Sequence, residues 1–197
     1  MRHHLALAAA AIGLLGAAPA ALAAPISYVA SLSGSAEVPP NASPGAGTAR
    51  LTIDTIANFI SYDVSFWGLL GTTFAAHVHG PAPAGVNGGV ASTTPAPPGF
   101  PLGVTAGSFS GVFDTTLAST YSPPFLTANG GTPEGAEAAF AQMLADGNAY
   151  FNIHTTVFAG GEIRGQFGLA PIPLPAGAVL IVTALGALGA LRLRRVT

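Results

Sequence analysis

Five histidines occur in this 197-residue chain, and two of them, His3 and His4, sit in its first four residues. The other three fall in two short motifs, His77-Val78-His79-Gly80-Pro81 and Asn152-Ile153-His154-Thr155. On a strand, side chains alternate between faces with period two, so His77 and His79 share a face with Cα atoms ~7 Å apart. Two imidazoles so placed can ligate one metal ion, and His154 from another strand would complete a three-histidine set. Imidazole nitrogen suits Cu or Zn, and three such ligands leave a coordination position open. The same residues admit a second reading, in which they are hydrogen-bonded parts of the sheet. Glu162, Arg164 and Gln166 also alternate onto one strand face. With Asn152 and His154 across a hairpin, they could form a polar network that ties strands together. The sequence leaves both readings open.

Other chemistry is largely excluded. There is no cysteine, so disulfides, thiolate zinc sites and thiol nucleophiles are ruled out. There is no Gly-x-Ser-x-Gly elbow, phosphate-binding Walker loop, His-Glu-x-x-His helix or dinucleotide fingerprint. Asp54, Asp63 and Asp114 fall near predicted strand ends and turns, where carboxylates are solvated. Trp67 and Tyr121 could stack on sugars, although Trp67, ending an apolar strand, is expected in the core. The expectation is a non-enzymatic protein.

Charge narrows the partners. Between residues 24 and 170 the chain carries two arginines, Arg50 and Arg164, against all eight carboxylates, a net of −6. Nucleic acid would require the opposite sign. An acidic surface suits solubility or divalent cations.

The elements that must hold these residues read mainly as strands. Residues 26–33 alternate around Ile26, Tyr28, Ala30 and Leu32; Ala49–Asp54 places Leu51 and Ile53 together; Phe59–Trp67 aligns Ile60, Tyr62, Val64 and Phe66. Thr73–His79 is a further strand, followed by a Pro- and Gly-rich loop from 81 to about 102, long enough to mark a functional or mobile segment. Ala106–Asp114 is another strand, and Asn148–Val157 with Glu162–Leu169 forms a hairpin about Ala159-Gly160-Gly161. One helix is predicted, from Pro133 to about Ala145. Thr132 can cap it, Pro133 suits its first turn, Glu134 and Glu137 complement its dipole, and Ala136, Phe140, Met143 and Leu144 form its apolar stripe. Some seven short strands at this spacing predict an all-β Greek-key sandwich or barrel with one short helix.

Four motifs taken in order, Ala36-Glu37-Val38-Pro39-Pro40, His77-Val78-His79-Gly80-Pro81, Asn152-Ile153-His154-Thr155 and Gly160-Gly161-Glu162-Ile163-Arg164-Gly165-Gln166, resemble the CHRD domain of animal chordin and many secreted bacterial proteins. The resemblance spans roughly residues 27–168, with Ala159 standing where many relatives have proline. It implies an immunoglobulin-like β-barrel loosely similar to copper–zinc superoxide dismutase, and no established molecular function. Full superoxide dismutase chemistry is not expected: a fourth copper histidine, a zinc subsite rich in His and Asp, and the disulfide are missing.

Both ends read as addresses. Met1-Arg2-His3-His4, the apolar run Leu5–Leu15 and the small residues Ala21 and Ala23 make up a secretory signal, residues 1–23, cleaved by signal peptidase. Residues 24–170 form the β domain. Residues 171–197 begin with Pro171-Ile172-Pro173-Leu174-Pro175-Ala176, continue in an apolar run to Leu191 and end in an arginine cluster, Arg192, Arg194 and Arg195. A helix over 176–191 would span ~24 Å, short of the ~30 Å hydrocarbon core unless the arginines snorkel. Those arginines favour the cytoplasmic side, leaving the domain outside. This tail resembles the VPLPA-CTERM sorting signals of Gram-negative bacteria, with Ile172 in place of valine. The resemblance implies an exosortase-like processing enzyme acting near Ile172, Pro173, Leu174, Pro175 and Ala176. Pro173 and Pro175 would keep that segment extended and open to a protease. The expected protein is thus an exported cell-surface or matrix module, passing through or held in the inner membrane, with extracellular polysaccharide or matrix as a partner. The alternative is a copper or zinc protein, storing, sensing or redox-active, built on His77, His79 and His154.

Overall fold

The computed structural model describes residues 25–171. The predicted signal peptide, the sorting motif Ile172–Ala176 and the predicted membrane helix lie outside them. Among the described residues no helix is long and apolar enough to cross a membrane.

Eight strands form one antiparallel sheet that curls into a half-barrel. They are β1 (Ile26–Ser33), β2 (Ala46–Asp54), β3 (Phe59–Trp67), β4 (Thr73–His79), β5 (Gly107–Asp114), β6 (Tyr150–Thr155), β7 (Ile163–Gln166) and the two-residue β8 (Gly168–Leu169). Their order across the sheet is β4-β6-β7-β1-β2-β3-β5, with β8 alongside β1. The alternation read from the sequence sets the register. Leu51 of β2 stands opposite Tyr28 of β1 and Tyr62 of β3, so the apolar residues of three strands meet on one face. Tyr28, Leu51, Ile60, Val64 and Phe66 are buried there. At the end of β3, Trp67 points outward and is 52% exposed, contrary to the expectation of a core residue. Tyr121, a candidate for stacking on sugars, is buried instead and donates its hydroxyl proton to the carbonyl of Thr115.

The strands β4, β6 and β7 carry the chemistry. His77 stands opposite Asn152, which stands opposite Arg164; His79 stands opposite Tyr150, which stands opposite Gln166. One face of this three-stranded patch therefore collects His77, His79, Tyr150, Asn152, Arg164 and Gln166. The other face collects Ala76, Val78, Phe151, Ile153 and Ile163, each with no measurable exposure. A slip of one residue in any of these strands would exchange the two sets, so the apolar face fixes where the polar face points.

Two helices complete the domain, one more than expected. The predicted helix is α2 (Pro133–Ala145), with the Thr132 hydroxyl accepting from the Gly135 N–H at 3.3 Å and the buried stripe Ala136, Phe140, Met143 and Leu144. The extra one, α1 (Pro123–Ala128), is a six-residue turn capped by Ser122, and Phe125 is its buried residue. Six residues are too few for a helical period to show, so only the Ser-Pro-Pro start marks it in the sequence. The loop from 81 to 102 is held at many points. The N–H groups of Gly80, Ala91 and Ala76 donate to the carbonyls of Gly89, Val78 and Pro95 respectively, so the chain from 89 to 95 runs back along the outer edge of β4. That covers an edge that would otherwise offer unpaired backbone groups.

Candidate metal centre

The histidines meet where β4 and β6 pair. His77 and His79 are two apart on β4, and His154 on β6 stands opposite Ala75, so all three lie on one face. The ring centroids are 4.6 Å apart for His77–His79, 4.7 Å for His77–His154 and 5.7 Å for His79–His154. One ring nitrogen from each lies within 4.8 Å of the other two. All three residues are buried, at 7–8% exposure.

The hydrogen bonds show which atoms are committed. His79 Nδ1 lies 3.0 Å from the carbonyl of Gly88, and His154 Nδ1 lies 3.0 Å from the carbonyl of Ala159. A carbonyl can only accept, so both rings carry their proton on Nδ1 and turn an Nε2 lone pair inward. That arrangement orients metal-binding histidines and raises their basicity as ligands. The two Nε2 atoms, together with His77 Nδ1, are buried without a hydrogen-bond partner. An orphaned buried polar group costs ~1–3 kcal/mol, so one on each of three contacting rings is a deficit for a purely structural cluster. A shared ion would remove it.

Electrostatics point the same way. Burial, reinforced by the neighbouring rings His79 and His154, lowers the pKa of His77 to about 3. Burial lowers that of His79 to about 4, against the Gly88 carbonyl and with help from His154 and Arg164. His154 is lowered as well, by burial first and by the Arg164 charge, against the Ala159 carbonyl. All three rings are therefore neutral at physiological pH, the form that ligates metal.

Aromatic groups flank the centre. The Tyr150 ring lies parallel to His79 at 4.9 Å, and the Arg164 guanidinium sits 4.4 Å from the Tyr150 ring centre. On the other side, a register irregularity between Thr73 and Ala75 leaves Phe74 unpaired on β4. Its ring lies 6.2 Å from His154, as bulges next to functional sites often re-aim a side chain.

The predicted polar network exists with different partners. Arg164 pairs with Glu37, Nε to Oε2 at 2.9 Å, with both side chains buried. Its other nitrogens donate to the Asn87 Oδ1 at 2.5 Å and the Val86 carbonyl at 3.4 Å. Burial raises the Glu37 pKa, outweighing the Arg164 hydrogen bond and charge and the Val38 N–H. Gln166 donates to the carbonyls of Ala82 and Gly147. Arg164, Gln166, His79 and Tyr150 thereby hold the segment 82–88 against this face. Glu162 turns the other way. Its Oε1 accepts from the Ser43 hydroxyl at 2.5 Å and the Leu70 N–H at 2.6 Å, and its Oε2 from the Thr155 hydroxyl at 2.6 Å and the Gly71 N–H at 3.1 Å. Burial alone would raise its pKa, but the bonds from Ser43, Thr155, Leu70 and Gly71 prevail and hold it low. Asn152 lies between the histidines and Arg164, with its Oδ1 buried and unpartnered. Gly161 has φ +132°, and a Cβ there would stand 2.6 Å from both the Asn152 amide and the Glu37 carboxylate, so only glycine fits.

Sequence reasoning named the three histidines, Asn152, Glu162, Arg164 and Gln166. It missed Tyr150 and Phe74, and it left Glu37 in a motif without a partner. Tyr150 was within reach, because it lies two and four residues from Asn152 and His154 and so shares their face.

A comparison with protein families matches residues 28–167 to the CHRD domain. The match covers most of the chain, which therefore belongs to the CHRD family. No curated protein and no solved structure matches it.

Proposed function

We propose that this is an exported surface protein whose CHRD domain binds one copper or zinc ion through His77, His79 and His154. The observation that carries this reading is that each of the three buried rings brings a nitrogen within 4.8 Å of the other two and each holds one buried nitrogen without a hydrogen-bond partner. Bonds from the ion to His77 Nδ1, His79 Nε2 and His154 Nε2, at ~2.0–2.1 Å, would draw the three atoms closer together than they stand. The coordination position left open faces no protein donor of the usual kinds, since no carboxylate or thiolate joins the group among the described residues. Tyr150, Phe74 and the segment 82–88 shield the ion from bulk water and limit what else can reach it. Storage, sensing or delivery of the ion outside the cell fits this arrangement better than hydrolysis, since no carboxylate joins the group as a general base among the described residues.

Export rests on the ends of the chain: a signal peptide over 1–23, and a sorting tail over 171–197 recognised by an exosortase-like enzyme at Ile172–Ala176. The long connection from β4 to β5, strands at opposite ends of the sheet order, supports an immunoglobulin-like Greek-key scaffold.

The test is metal analysis of the full chain, followed by copper and zinc titration of the parent, His77→Ala, His79→Ala and His154→Ala. One ion per chain, lost in each variant, is expected; a parent that binds no ion contradicts the reading. A mass spectrum of the protein from its own host tests the sorting tail, which an intact Thr197 would contradict.

A further inference from the structure

We infer that the centre is built for a monovalent ion, copper(I), and discriminates against zinc(II) through its lack of negative charge and through the Glu37–Arg164 pair. This deepens the three-histidine reading and rests on it.

The three donors are neutral imidazoles, and no carboxylate belongs to the donor group among the described residues. The two buried carboxylates of this half of the sheet lie outside the donor group. Both oxygens of Glu162 accept two hydrogen bonds each, and Glu37 holds Arg164 through Oε2 while its Oε1 is buried without a hydrogen-bond partner. The remaining neighbours, Tyr150, Phe74 and Asn152, carry no charge. An ion entering here keeps its full formal charge in a poorly hydrated space. The cost of that transfer rises with the square of the charge, so a dication incurs about four times the penalty of a monocation. Thiolates or carboxylates offset this cost in many zinc sites, and in a three-histidine zinc site the bound water does so by losing a proton. The donor group here holds no thiolate or carboxylate among the described residues.

Arg164 adds to the effect. Its guanidinium lies over the Tyr150 ring at 4.4 Å, and that ring lies 4.9 Å from His79, so a positive charge stands one ring away from the ligands. A fixed potential acts on an ion in proportion to its charge, so Arg164 opposes a dication twice as strongly as a monocation. Glu37, 2.9 Å from the Arg164 Nε, offsets part of that field and so sets how strict the discrimination is.

Competition titrations test this on the full chain. Copper(I) is measured anaerobically against a chromophoric copper(I) chelator, and zinc(II) against a zinc-binding dye. The expected result is one copper(I) per chain, held at least about 100-fold more tightly than zinc(II). Zinc(II) bound as tightly as copper(I), or more so, overturns the inference and leaves the three-histidine site standing. Binding of neither ion overturns both. Glu37→Gln sharpens the result by leaving Arg164 uncompensated. A loss of about 10-fold for copper(I) should become about 100-fold for zinc(II). Equal losses for the two ions would contradict a charge mechanism, and the comparison on the parent protein decides the matter if that variant does not fold.

Discussion

Two buried polar clusters flank the β6–β7 hairpin and invite opposite conclusions. Around Glu162, four donors meet two carboxylate oxygens and every lone pair facing the interior is used. That network joins the segment at Ser43, the β3–β4 turn at Leu70 and Gly71, and β6 at Thr155, so it staples three parts of the chain. Around the histidines, two rings are pinned from behind by carbonyls while each of the three rings holds a buried nitrogen without a hydrogen-bond partner. Both clusters are buried, and each is built around residues that the sequence singled out, Glu162 in one and the three histidines in the other. What separates architecture from a site is therefore satisfaction. A cluster that answers all its own hydrogen bonds stabilises the fold, and one that leaves convergent lone pairs awaits a ligand.

The contrast can be broken most forcefully at Glu162. Glu162→Ala strands four donors at once and should cost ~3–5 kcal/mol, read as a lower denaturant midpoint with an unchanged slope. A loss below ~1 kcal/mol would show that the network is not the staple described.

Acid should expose the histidines next. They are held neutral in the fold, at about 3 for His77 and about 4 for His79, but take up protons near 6.5 once unfolded. The unfolded chain then binds more protons as pH falls. Stability of the metal-free protein should therefore drop from about pH 6.5 downward, by up to ~1.4 kcal/mol per pH unit per histidine, until the folded rings charge as well. Glu162, whose pKa is held low, loses its contribution in the same direction at still lower pH. A metal-free protein with flat stability between pH 6.5 and 4 would contradict the neutral buried rings.

Gly161→Ala should cost ~2–3 kcal/mol, since the new Cβ is strained by its φ and meets Asn152 and Glu37; unchanged stability would deny the close approach. The smallest effect is expected from the histidines without metal. His154→Ala removes an orphaned nitrogen and one bond to Ala159, so its metal-free stability should stay within ~1 kcal/mol of the parent. A loss of several kcal/mol would move the trio into the structural class beside Glu162.

The sequence made much of this legible, and the reasons are physical. Strands β1 to β3 were readable because their apolar residues alternate, and α2 because cap, proline, acidic first turn and apolar stripe agree with one another. The histidine face followed from period two within β4, and motif order brought in His154. What the sequence could not show was partnership across long separations. Glu37 meets Arg164 across 127 positions, and Glu162 reaches Ser43 across 119. Charge types alone favoured the local pair Glu162–Arg164, which the chain does not use. Trp67 misled because a strand-terminal aromatic in an apolar run looks like core, whereas parity places it on the outer face. Nor could it show which histidine nitrogens are free, since that depends on the carbonyls of Gly88 and Ala159 and on the course of the loops that carry them.

The most direct measurement is a crystal structure of the copper-loaded protein, with anomalous scattering recorded at the metal edge. The account predicts one ion bonded to His77 Nδ1, His79 Nε2 and His154 Nε2 at ~2.0–2.1 Å, with Nδ1 of His79 and His154 still on their carbonyls. No anomalous peak between the three rings, or a peak held by other groups, would contradict it.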